Sequence, residues 1–238
     1  MNALAFPHEG LRATRGVSSA ARADAAYTHL KHGLLEGEYG PGHKLSVVML
    51  TRELKCSRVP VMEAVKRLAG EGFVTIVPQV GCRVITPLAH EVRDFFALFA
   101  AAEGTVTAFA AARRTTEEVV QFKQMCTQLD TIARSAGKLS DRDPTYRRLN
   151  LMFHSFIHRL ARSPVTTAIA GTMWDRSDFY IKLAFGSLYF SRTIRAAHQA
   201  IRLAVIDGDA EAARRAVAVH LHAVGDGVAA AMEKLARE

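Results

Sequence analysis

Apolar and polar positions divide the chain into a mixed first third and a helical remainder. Over residues 22–36 apolar residues, Ala25, Leu30 and Leu34 among them, fit one side of a helix, which the breaker run Gly37-Glu-Tyr-Gly-Pro-Gly42 ends. A short helix is expected over 47–54. A third, over 58–71, has Ser57 as its N-cap, Pro60 in its first turn, and Val61, Ala64, Val65 and Leu68 on one face, with Gly72 closing it. The runs 73–77 and 82–85 read as two short strands joined through Pro78-Gln-Val-Gly81. From Leu88 on, strand signals stop, and six helices are expected near 89–113, 116–137, 144–162, 164–187, 191–206 and 209–235. Their punctuation is explicit. Thr115 and Glu118 make a capping box, Asp143 and Ser163 each precede a proline, and Asp207-Gly-Asp209 separates the last two helices.

These elements predict a mainly α protein with three parts. Residues 1–21, rich in Ala, Ser, Gly and Arg without periodicity, form a mobile arm. Residues 22–87 form a winged helix-turn-helix, and residues 88–238 an all-α antiparallel bundle. The chain has 238 residues, 49% of them hydrophobic, enough for a core in each of two modest domains. No uninterrupted apolar run reaches the ~20 residues that span a bilayer, and the N-terminus lacks the apolar core of a secretory signal. The expectation is a cytoplasmic protein with no membrane partner. The three cysteines, Cys56, Cys82 and Cys126, are odd in number and unrelated in spacing, which argues for free thiols.

Charge adds a direction. The first 88 residues hold 11 Lys and Arg against 7 Asp and Glu, half of the net charge of +8 in little more than a third of the chain. A polyanionic partner fits that density, and three helices followed by a two-strand wing is the order of a module that lays one helix in the DNA major groove. With the apolar face of the third helix buried, Arg58, Val59, Met62 and Lys66 point outward. Arg58 at the helix N-terminus suits a base or a phosphate, Lys66 a phosphate, and Val59 a thymine methyl. Residues 30–86 resemble the DNA-binding domain of the GntR family of bacterial regulators. The resemblance rests on Leu34-Leu-Glu-Gly-Glu-Tyr-Gly-Pro-Gly-His-Lys-Leu45, on Ser57-Arg-Val-Pro-Val-Met-Glu-Ala-Val-Lys-Arg-Leu68, and on Glu71-Gly-Phe-Val with Gly81 and Val84. It implies a homodimer on a palindromic operator in double-stranded DNA, with Gln79 and Gly81 of the wing joining the contact set. Met62 stands where the family pattern has a second arginine, and Val47 where it has a glutamate.

In the bundle, three histidines fall on the apolar stripes of three helices. His154 shares a face with Tyr146, Leu149, Asn150, Phe153 and Ile157, His198 with Ile194 and Ile201, and His220 with Ala216, Val217 and Val224. A single buried histidine is usually a hydrogen-bonded core residue. Three of them, with Asn150 one turn before His154, also fit a metal held between helices. Residues 88–238 resemble the ligand-binding domain of the FadR-type branch of the same family. In that branch's metal-binding members an Asp or Asn precedes a His by four residues, and the last two helices each add a His. The resemblance thus implies Asn150, His154, His198 and His220 as ligands of a divalent ion, zinc foremost, with nickel and manganese also suited to this donor set.

Three imidazoles and an amide leave the charge of the ion uncompensated, so an open position suits a small carboxylate effector. Arg147, Arg195 and Arg202 stand within about a turn of the candidate ligands and are the candidate effector contacts. Phe99 replaces the arginine usual four residues before Glu103. The implied function is a ligand-responsive transcription regulator of genes for the catabolism or transport of a carboxylic acid. Two alternatives are a metal-independent regulator sensing an acyl thioester or other ligand and a metal-dependent hydrolase. Against the hydrolase, the sequence has no HExxH motif and no evident nucleophile–base pair.

Overall fold

The computed structural model describes residues 18–77, 81–135, 145–186 and 192–237, the side chains of 133–135, 145, 146 and 192–195 excepted. The arm before residue 18, the wing tip with Gln79, and the expected cap at Asp143-Pro144 lie outside the described residues. The chain forms two compact units that meet between Thr86 and Pro87.

In the first unit, α1 (Ser19–Glu36) starts at Ser18, whose hydroxyl accepts from the Ala21 amide, and stops at Gly37 in the left-handed conformation. The helix α2 (Val47–Glu53) is capped by Ser46. The helix α3 (Arg58–Gly70) follows. Ser57 occupies its N-cap position but makes no side-chain bond. The expected cap bond is not made, and Pro60 at the third helical position removes one of the two amides such a cap can use. Leu30 and Leu34 of α1 pack with Val61, Ala64, Val65 and Leu68 of α3 in a fully buried seam.

The strands β2 (Val74–Val77) and β3 (Gly81–Val84) pair antiparallel, Val74 opposite Val84. A strand not expected from sequence, β1 (Lys44–Leu45), pairs with the other edge of β3, giving the order β1-β3-β2. Two residues carry no readable period, yet Leu45 and Cys82 are both buried beneath this sheet.

The second unit is all-helical: α4 (Ala89–Arg113), α5 (Thr116–Ser135), α6 (Thr145–Ala161), α7 (Pro164–Phe185), α8 (Arg192–Asp207) and α9 (Ala210–Leu235). The capping box opening α5 is formed in both directions, Thr115 N–H to Glu118 at 2.8 Å and Glu118 N–H to Thr115 at 3.2 Å. Asp209 caps α9 through the Ala212 amide. Helix α4 is long and apolar enough to cross a membrane by length and composition, but it packs against α6, α7, α8 and α9 as the central helix of the bundle. Gly225 lets α9 approach it. A Cβ there would lie 2.5 Å from Cβ of Phe96, closer than side chains pack.

Candidate metal centre and nucleic-acid face

Helix amphipathicity turns one stripe of α6 inward, with Leu149, Phe153, His154 and Ile157 all buried on it. The same pattern turns His198 of α8 and His220 of α9 toward that stripe. One ligand atom from each of His154, His198 and His220 falls in a group within 4.8 Å of one another. The imidazole centroids of His198 and His220 are 4.9 Å apart, and those of His154 and His198 5.4 Å apart. Phe153 stacks on His198 at 5.0 Å and Trp174 lies against His154 at 4.1 Å, so aromatic rings wall the cluster.

The protonation state follows from burial. Desolvation, with smaller repulsion from the neighbouring imidazoles, holds His154 well below the ordinary histidine range and lowers His198 to about 3. Burial alone brings His220 to about 4. All three are therefore neutral at pH 7, the form that ligates metal. Both ring nitrogens of His154, which is 1% exposed, lack a hydrogen-bond partner, as does the buried Oδ1 of Asn150 one turn before it. Leaving such atoms unsatisfied costs ~1–3 kcal/mol each. Neutral imidazoles converging from three helices beside an unpartnered amide oxygen fit a divalent cation, so the residues present suit the group.

The candidate effector arginines fall in different places. Arg147 of α6 donates to Asp178 of α7 at 2.8 Å. Arg202 of α8 donates to Asp130 of α5 at 3.0 Å. The side chain of Arg195 lies outside the described residues. Phe99 meets Trp174 edge to face at 4.9 Å, filling with an aromatic ring the position where a guanidinium was the usual expectation.

Next to these residues lies a group that sequence reasoning did not single out. Glu103 of α4 is fully buried, and its Oε1 accepts from Trp174 Nε1 and from His158 Nε2, both at 2.7 Å. His158 thus belongs with Glu103. Sequence reasoning uses Glu103 only as the landmark for Phe99 and sets His158 aside as a metal ligand at the edge of the α6 stripe, so neither points to the other.

In the first unit, α3 presents Arg58, Val59 and Lys66 to solvent, Val59 at 61% exposure, while Met62 is half-buried. Arg67 on the same helix is occupied, bonded to Asp24 and lying over the Tyr27 ring at 3.9 Å. Val48 and Met49 of α2 are also exposed, at 61% and 59%, two apolar side chains that the sequence reading did not mark. Gly81 opens β3 at φ +118°, a backbone conformation that a β-carbon disfavours. Arg83 of β3 and Lys44 of β1 are exposed on the sheet, two further cations of this unit.

Comparison with known proteins agrees with both units. The pattern of the gntR family of bacterial regulatory proteins matches residues 22–84, and that of the FCD domain matches residues 94–223. An HTH-type transcriptional regulator of Streptomyces ambofaciens is 30% identical over 204 residues, covering 85% of this chain and 83% of that protein. One from Agrobacterium vitis is 32% identical over 88 residues, 37% of this chain, and this match spans about half (52%) of that relative's length. The solved structure of E. coli McbR/YncC superposes with a TM-score of 0.69 over 92% of this chain and 99% of that one, at 18% identity, a likeness of fold.

Proposed function

We propose that this chain, which belongs to the GntR family of bacterial regulatory proteins and carries its FCD domain, couples operator binding to a carboxylate effector sensed at a metal centre. The chain is an HTH-type transcription regulator rather than an enzyme. In the proposal, two copies bind a palindromic operator, because one recognition helix covers too few base pairs for useful specificity. Arg58, Val59, Met62 and Lys66 of α3 meet the major groove, and Gln79 and Gly81 serve the wing.

The observation that carries the sensor reading is the neutral, buried convergence of His154, His198 and His220 beside the unpartnered oxygen of Asn150. These four residues would hold a divalent ion, zinc best suited and nickel or manganese compatible with the same donors. When bound, the ion supplies a positive charge that neutral ligands leave open to an anionic group. The chain's own residues do the rest. Trp174, Phe153 and Phe99 exclude water from around the cluster. Arg147, next to Asn150, is the best-supported effector contact of the three arginines and would exchange Asp178 for the effector's carboxylate. Arg195 and Arg202 complete the proposed set.

The test is operator binding by the full chain against a panel of short carboxylic acids, with the protein zinc-loaded and then chelated. The reading expects at least one acid to shift operator affinity by a coupling of about 1–3 kcal/mol in the loaded protein and none to act after chelation. An acid response that survives complete metal removal contradicts it.

A further inference from the structure

We infer that Glu103 is the carboxylate that orients His154 as a metal ligand, an inference that rests on the metal reading above. A histidine that binds a metal through one ring nitrogen carries its hydrogen on the other, and that N–H needs an acceptor. His154 is buried to 1% exposure with neither nitrogen partnered, so the second nitrogen has no protein acceptor as it stands. Glu103 presents the complementary deficit. It is fully buried, its Oε1 is taken by Trp174 and His158, and its Oε2 has no donor. A buried carboxylate oxygen and a buried imidazole N–H that each lack a partner satisfy each other when joined.

The placement supports that pairing. His158, bonded to Glu103, is one helical turn from His154 on α6, so both histidines lie on the same side of that helix. The indole that donates to Glu103 lies 4.1 Å from the His154 ring, so the carboxylate and the imidazole both border Trp174.

Among the described residues two other buried side-chain oxygens lack partners, Asn150 Oδ1 and Thr107 Oγ1. Asn150 is the candidate fourth ligand. Thr107 is one turn beyond Glu103 on α4. The contacts Glu103 to His158 and Arg113 to the Ala161 carbonyl run α4 and α6 side by side in the same direction. Thr107 therefore faces the part of α6 past His158, farther from His154. Glu103 is left as the acceptor, and it brings a negative charge toward a centre whose other groups are neutral. It touches neither effector nor DNA in this account and acts as a positioning residue.

Zinc alone is the probe. The full chain and its Glu103→Gln and Thr107→Val variants are titrated with zinc against a chromophoric chelator, and their zinc-loaded forms are compared by nitrogen-15 NMR of the histidine rings. Glu103→Gln keeps an acceptor for Trp174 and His158 but loses the charge. It is expected to lower zinc affinity by about 10- to 100-fold, while Thr107→Val changes it by less than about threefold. The parent is expected to show a His154 ring N–H protected from solvent exchange, which Glu103→Gln loses and Thr107→Val keeps. The spectrum of the parent tests the assignment even if a variant fails to fold. A zinc-loaded parent whose His154 N–H exchanges freely overturns the inference, as does Glu103→Gln with unchanged zinc affinity. A parent that takes up no zinc overturns instead the metal reading beneath it.

Discussion

The Asp178 carboxylate on α7 accepts a 2.8 Å hydrogen bond from Nε of Arg147 on α6, three residues before Asn150. Burial pushes the Asp178 carboxyl up to about 6, with Asp175 adding to the rise and Arg147 and Lys182 opposing it. In the unfolded chain the group titrates near 3.8. Between those values the folded protein holds a proton that the unfolded chain has lost. Asp178 therefore favours the fold most below pH ~4, and that contribution is lost as pH rises through ~6. Compared with Asp178→Asn, the parent is expected to gain roughly 3 kcal/mol at most as pH falls across this window. The shared histidines cancel in the comparison. Urea unfolding of both proteins at about pH 7.5 and about pH 4.5 checks it, and a pH-independent difference would show that Asp178 is already ionised with its ordinary affinity.

Arg58 stands at the first turn of α3 with its side chain in solvent. Arg58→Ala is expected to abolish specific operator binding and to leave stability within about 0.5 kcal/mol, as for other surface substitutions. A footprint on the operator, beside a melting curve, separates loss of contact from loss of fold. Retained specific protection would remove α3 as the reading helix.

Met62 is half-buried on the outward side of the same helix, at the position where the family pattern carries arginine. Met62→Arg is expected to strengthen non-specific DNA binding and to steepen the logarithmic salt dependence by about 0.9, one phosphate contact. An unchanged slope would mean that position 62 does not face the DNA backbone.

Much of the fold was legible because its boundaries are chemical. Thr115 and Asp209 cap where a side-chain oxygen can reach a free amide, and each does so in the structure. Ser57 shows the limit of reading position alone, since it stands at the N-cap of α3 without making the cap bond. The histidine cluster was legible because amphipathic periodicity alone says which residues turn inward, and three helices turned a histidine inward at once. The Glu103, Trp174 and His158 group was not. Its bonds join residues 71 and 55 positions apart, on three helices, and no period within one helix encodes a partner on another. The engagement of Arg147 by Asp178 and of Arg202 by Asp130 was hidden for the same reason. Strand β1 was missed because two residues are too few to alternate.

In the proposed function His154, His198 and His220 hold a metal ion. Elemental analysis of the full chain, purified without chelator or affinity metal and dialysed, tests it most directly, with His198→Ala prepared in parallel. One divalent ion per chain is expected in the parent, essentially none in His198→Ala, and a parent melting temperature that falls on chelation to that of the variant. A parent with no stoichiometric metal, whose melting curve chelators leave unchanged even after incubation with zinc, would contradict it and make the three histidines ordinary core residues.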